Sequence, residues 1–216
     1  MHYDAIENKH GLKHDPLKAL VAPRPIGWIS SLSKNGVCNL APYSFFNAVA
    51  EKPAWVVFSS VGIKDSLKNI EETGEFVCSL ATWDLREQMN WSSASVAHGV
   101  DEFPIAGLST APSRFVKPPR VKESPVALEC TYWQTVPLPP ARAGDKPGNF
   151  VVFGKVVGIY IDDAFVKAGM VDTGAMKPIA RMGYMDYAVV TAETIFTLGR
   201  PSPDAAMARL KEGVEG

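Results

Sequence analysis

PRPIGWISSLSKNGVCNLAPYSFFN, residues 23–47, carries most of what this chain reveals about its architecture. Ile26, Trp28 and Ser30 alternate with Gly27, Ile29 and Ser31, the period of two that marks a β-strand. Asn35-Gly36 then has the chemistry of a two-residue hairpin turn, whose central residues need positive backbone angles. The return segment Val37 to Leu40 is expected to stop at Ala41-Pro42, because proline cannot continue a central ladder. A polar-aromatic loop follows. Polar groups sit where a core strand needs none: Gly27, Ser30 and Ser31 leave room and hydrogen bonds for a flat polar ligand.

Working outward, PRPIGWISS, NLAPYSFFN and KDS at 64–66 closely resemble the flavin reductase-like family, the FMN-binding split-barrel proteins, in the family's order and spacing. RMGYMDY at 181–187, with Arg200-Pro201, resembles that family's C-terminal element, so the likeness spans about residues 14–201 of a single domain expected over 1–216. As a set the motifs are specific, although none is so alone. The resemblance implies a mainly β fold, a Greek-key split β-barrel with peripheral helices. It also implies an FMN cofactor, with FAD as the alternative, and a flavin-dependent oxidoreductase in which NAD(P)H is a transient hydride donor.

Composition agrees with a folded globular chain. All-β barrels routinely reach 216 residues as one domain, and 46% hydrophobic residues are enough for a sizeable core. A net charge of −1 gives no electrostatic reason to expect nucleic acid or a membrane surface as partner. Cys38, Cys78 and Cys130 are odd in number and widely spaced, which argues against a disulfide framework and fits a reducing cytoplasm. No Cys-x-x-Cys occurs, and His10 and His14 lack acidic or sulfur partners nearby, so no metal site is expected. The start, MHYDAIENKH, has no apolar signal-like run, and no stretch approaches the roughly 18 apolar residues of a membrane span.

Strands are expected at Ala54 to Ser60, buried on both faces, at Glu75 to Ala81, at Val126 to Val136 and at Phe150 to Ile161. A helix is expected over Lys64 to Thr73, capped by Asp65 and ended by Gly74, and a second from Asp84 to about Ala97. Pro104 to Pro125 and residues 137–148 read as loops, and the tail beyond Pro201 as a short, weakly anchored helix.

A flavin mononucleotide needs a flat apolar wall, polar groups at the ring edge, and donors with a cation for its phosphate. Arg24, held extended by Pro25, fits the phosphate or the ring edge, or else a surface arginine with a packed stem. Ser30 and Ser31 face opposite sides of their strand, so one side chain at most points at a given ligand. Gly27 permits close backbone approach or marks a bulge. With Ile26 and Trp28 these residues make the first candidate cluster. Asn39, Ala41, Ser44, Phe45 and Asn47 make the second; aromatic residues there are usually core, but buried amides need partners. The resemblance implies that this segment lines the flavin, with Asn47 its leading polar residue. Lys64 and Ser66 open a helix, where free N–H groups bind anions. Arg181 and Tyr184 are candidates through the family pattern alone, as flavin contacts or as dimer contacts.

Rival motifs fail. Gly169 and Gly174 have phosphate-loop spacing, but Ala175-Met176 stands where Lys-Ser/Thr is required. There is no Gly-x-Ser-x-Gly, no triad context for His98, and no Gly-x-Gly-x-x-Gly. No catalytic side chain is expected, because the cofactor carries the chemistry. A homodimer is expected, and a partner oxygenase is one possible acceptor. The other open readings are a non-enzymatic flavin or electron carrier and an oxidase of small amines or phosphorylated vitamers.

Overall fold

The computed structural model describes residues 1–140, 142 and 144–212, with side chains as far as residue 210. Ala141 and Ala143 of the expected Pro- and Gly-rich linker, and residues 213–216 of the expected domain, lie outside the described residues.

The strands are β1 (Arg24–Pro25), β2 (Gly27–Leu32), β3 (Cys38–Tyr43), β4 (Phe46–Glu51), β5 (Ala54–Val61), β6 (Glu75–Leu80), β7 (Thr110–Ala111), β8 (Arg120–Val121), β9 (Val126–Pro137), β10 (Asn149–Ile161), β11 (Val166–Lys167), β12 (Met170–Val171), β13 (Ile179–Arg181) and β14 (Tyr187–Val189). The helices are α1 (Leu17–Leu20), α2 (Asp65–Thr73), α3 (Arg86–Trp91), α4 (Glu102–Ile105), α5 (Thr173–Met176) and α6 (Pro203–Glu212).

Seven strands form one antiparallel sheet in the order β3-β2-β6-β9-β10-β5-β4. The long pair β9–β10 is irregular near Gly154 and Gly158, and such bulges bend a strand pair. The ends of the sheet curl toward each other, bringing the Tyr43 ring of β3 to 4.7 Å from Phe58 of β5. The result is the expected split barrel, mainly β and open, with β3 and β4 as its two edges.

The pleat sorts side chains into two cores. Ile29, Phe58, Phe76, Cys130 and Val152 fill the concave side, where Leu67 and Ile70 of α2 plug the barrel. Trp28, Leu40, Met89, Phe103 and Val121 pack on the outer side beneath α3 and α4. Gly27 sits where the Phe46 ring crosses β2: a Cβ there would lie 2.5 Å from Phe46 Cδ2. Its open space is therefore filled by a neighbouring strand's side chain.

Local details depart from the sequence reading. The first hairpin has a longer turn than Asn35-Gly36 alone. Ser33 N–H donates to Val37 O and Gly36 N–H to Ser33 O, and only Gly36 (φ +79°) takes the left-handed conformation. Strand β3 runs through Pro42 to Tyr43, because it is an edge strand whose outer side needs no N–H. The segment expected as a loop after Ala41-Pro42 is thus the end of β3, a short turn at Ser44 and Phe45, and the start of β4. Strand β5 buries Val56, Phe58 and Ser60 and leaves the alternate residues partly exposed, so it is covered on one face.

Helix α2 begins at Asp65, with Lys64 at the cap position, and the Asp65 carboxylate turns outward to accept Gly99 N–H at 2.8 Å. The expected second helix is confined to Arg86–Trp91, and its continuation to Ala97 is irregular chain. The 104–125 region holds part of α4 and the β7–β8 hairpin. Among the described residues no helix is long and apolar enough to cross a membrane.

Candidate functional site

Strand β3, the turn after it, the start of α2 and the irregular chain after α3 converge on one cleft of about 470 Å³. Its walls include Asn39, Ala41, Tyr43, Ser44, Phe45, Ser59, Lys64, Ser66 and the chain from Ser92 to His98, with Lys18 at the edge and Glu102 below. Phe45 is partly exposed here, a flat apolar face beside polar groups.

The start of α2 is an anion site by construction. The first helical bond is Lys68 N–H to Lys64 O, so the N–H groups of residues 65, 66 and 67 have no backbone acceptor. Lys64, exposed on the same wall, adds a cation. Tyr43 is buried with its ring against Phe58, yet its hydroxyl has no hydrogen-bond partner although Ser60 and Ser66 are its polar neighbours. Burial raises the Tyr43 phenol above its ordinary pKa, so it is a neutral donor.

Under the cleft runs a buried polar relay. Glu102 accepts from Asn39 Nδ2 at 2.9 and 3.0 Å and from Leu40 N–H at 2.8 Å. Ser66 Oγ donates to Asn39 Oδ1 at 2.7 Å, and Asn69 Nδ2 donates to Ser31 Oγ at 3.2 Å. On the outer wall, Asp65 straps the chain after α3 to α2 through Gly99 N–H and the imidazole of His98, whose other nitrogen lies 3.3 Å from Lys68 Nζ.

Of the residues expected from the sequence, Asn39, Ala41, Ser44, Phe45, Lys64 and Ser66 meet in this cleft. The others lie outside its walls. Arg24 is buried with its two terminal nitrogens donating to the carbonyls of Lys18, Val21 and Met182 while its Nε has no partner, and Pro25 is exposed beside it. Ile26 and Trp28 belong to the outer core, Trp28 Nε1 donating to Ser92 Oγ at 2.9 Å. Gly27 lies under Phe46, Ser30 donates to Pro119 O, and Ser31 belongs to the relay below the cleft. Asn47 projects from the edge strand β4, its carbonyl accepting Ala48 N–H. Arg181 and Tyr184 occupy the β13–β14 hairpin, where Arg181 donates to Tyr184 O and the Tyr187 hydroxyl.

Tyr43, Glu102, Lys18 and the chain 92–98 line the cleft as well, and sequence reasoning did not name them. A serine-rich run, SSAS at 92–95, was the one signal that the second helix might not continue.

The residues fit FMN at the phosphate end. Three free helix N–H groups and an exposed lysine face one space, with the unpartnered Tyr43 hydroxyl buried beside Ser60 and Ser66, and together they supply the donors a phosphate requires.

Comparison with known proteins gives the family. The model of the flavin reductase like domain matches residues 20–180. Nitrilotriacetate monooxygenase component B from Bacillus cereus superposes with a TM-score of 0.83 at 28% identity, over 92% of this chain and 98% of that one. The 2-nitrobenzoate 2-nitroreductase of Pseudomonas fluorescens gives 0.79 at 26% identity, over 94% and 100% of the two chains. An uncharacterised protein of Aquifex aeolicus is 36% identical over 170 residues, 76% of this chain and 83% of its own. With the family model covering most of the length, the split barrel and its cleft place this chain in the flavin reductase-like family.

Proposed function

We propose that this protein binds FMN in the cleft between β3, α2 and the 92–98 chain and passes electrons from NAD(P)H through it, as a flavin reductase. The observation that carries the proposal is the convergence of the free N–H groups of residues 65–67 and Lys64 on one space, with the unpartnered Tyr43 hydroxyl buried beside Ser66 of the same wall. Bound flavin would supply hydride acceptance and electron release, and no side chain is needed as acid or base. The chain's own residues bind and orient. Lys64 and the helix start hold the phosphate, Phe45 offers a wall for the ring, and the chain 92–98 lines the same cleft.

A homodimer fits the same reading. Strand β4 is an edge with Ala48 to Glu51 exposed, and Val49, Val61, Ile63 and Trp133 leave apolar surface uncovered. A second copy could bring Arg181 and Tyr184 of its hairpin toward the flavin. The final acceptor is free flavin, a partner oxygenase or another oxidant.

The test is direct. Purified protein should release FMN on heating, or quench added FMN fluorescence, and should oxidise NADH or NADPH when flavin is present. A colourless protein that quenches no FMN overturns the reading. FAD in place of FMN revises the cofactor, and bound FMN without nicotinamide oxidation leaves an electron carrier instead.

A further inference from the structure

A carboxylate under an anion site opposes the ligand unless it has another task. Glu102 comes from α4 and is buried, only 6% exposed, and its oxygens are held by Asn39 Nδ2 and Leu40 N–H. An ionised carboxylate can only accept. It therefore fixes the Asn39 amide with nitrogen toward Glu102 and oxygen toward Ser66. The Ser66 hydroxyl must then donate its one proton to Asn39 Oδ1, at 2.7 Å, and shows only lone pairs to the cleft. Ser31, 3.5 Å from the same amide oxygen, holds Asn69 Nδ2 and does not free Ser66. An incoming phosphate oxygen would meet an acceptor where it needs a donor.

We propose that Glu102 is a positioning residue that sets the direction of the Ser66 hydroxyl through Asn39, and that an anion bound at Ser66 takes up a proton at Glu102. Protonated Glu102 donates to Asn39 Oδ1 once the amide reverses, while its second oxygen keeps Leu40 N–H. The amide nitrogen then donates to Ser66 Oγ, whose proton turns to the ligand. The one covalent change is the O–H bond formed at Glu102, with its proton taken from hydronium or buffer acid in solvent, and every other change is a hydrogen bond exchanged. The inference rests on the cleft being the flavin phosphate site.

The surroundings favour the protonated form. Burial pushes the Glu102 carboxyl above its ordinary range, the bonds from Leu40 and Asn39 pull it partly back, and Asp65 of α2 pushes it up again. Tyr43 and Cys38 of β3 and Asp101 beside α4 are the other near titratable groups, with Lys18, Lys64 and His98 around the cleft. A carboxyl displaced upward is protonated below its shifted value. FMN affinity should thus be full on the acid side and fall as pH rises through that range, by up to about tenfold per pH unit for one linked proton.

Calorimetric titration with FMN and with riboflavin, in buffers of different ionisation enthalpy, reads the proton count. The parent should take up protons with FMN beyond the phosphate's own ionisation, and none with riboflavin. Glu102→Gln, which can donate to Asn39 at any pH, should bind FMN without the extra proton and with the phosphate's own pH profile alone. Ser66→Ala should also lose the extra proton, and it decides the matter if the Glu102 variant does not fold. A Glu102→Gln or Ser66→Ala protein with the parent's proton count overturns the proposal, as does a parent that binds FMN with no extra proton. A parent that binds no FMN at any pH overturns the flavin reading itself and this proposal with it.

Discussion

Removing one oxygen atom from Tyr43 separates a ligand site from a packing accident, because the two readings predict opposite signs. In Tyr43→Phe the ring keeps its contact with Phe58, 4.7 Å between centroids, and only the buried, unpartnered hydroxyl goes. A buried donor left without an acceptor costs about 1–3 kcal/mol. The ligand-free variant should accordingly be more stable than the parent, with a melting temperature higher by about 2–4 °C per kcal/mol for a chain of this size. With FMN bound, the parent's hydroxyl gains a charged acceptor, a bond worth about 1.5–3 kcal/mol. Its loss should weaken FMN binding roughly ten- to a hundredfold, at about 1.4 kcal/mol per factor of ten. Riboflavin, without the phosphate, should bind both proteins alike. Thermal melts of the flavin-free proteins and fluorescence titrations with both flavins give the four numbers. A variant that melts lower and keeps its FMN affinity would refute the reasoning, since the hydroxyl would then serve the empty fold.

Lys64→Ala should lower FMN affinity by about ten- to a hundredfold and leave riboflavin binding unchanged, measured in the same titration; unaltered FMN binding would remove Lys64 from the site. Gly27→Ala sets a Cβ 2.5 Å from the Phe46 ring and should destabilise by about 1–3 kcal/mol in a denaturant melt. An unchanged midpoint would mean that Phe46 does not cross β2 there. Light scattering at micromolar concentration should report twice the mass of one chain, and a single-chain mass across that range would rule out the dimer.

Much of the fold was legible because its signals are local. The alternation in 26–31, the β-branched density of 54–60 and 150–161, and the Leu67/Ile70 spacing each follow from a few neighbouring residues and return as β2, β5, β10 and α2. The second helix was over-extended because its stop is tertiary. Ser92 Oγ donates back to Met89 O and accepts Trp28 Nε1 from 64 residues earlier, and neither bond is written in the serine itself. Pro42 was misjudged for the same reason, since whether a strand is central or an edge depends on partners elsewhere in the chain.

Fewer than half of the expected binding residues line the cleft, and the division has a physical cause. A motif names residue types able to bind a ligand, but the fold decides which of them still have free donors. Ser30 has the right chemistry, yet the carbonyl of Pro119, distant in sequence, already accepts its one hydrogen, and Arg24 is turned by the carbonyl of Met182 so that only its buried Nε is left unpartnered. Tyr43 passed for core because its ring is core; what marks it is an unmet hydroxyl, a property of its surroundings and not of its type. Glu102 lay at the edge of a segment read as loop, and its partner Asn39 is 63 residues away. Spacing can find residues held on one strand or one helix turn. The direction of a proton in a buried relay depends on every acceptor along it, so Ser66 could be named from sequence while the group that turns its hydroxyl could not.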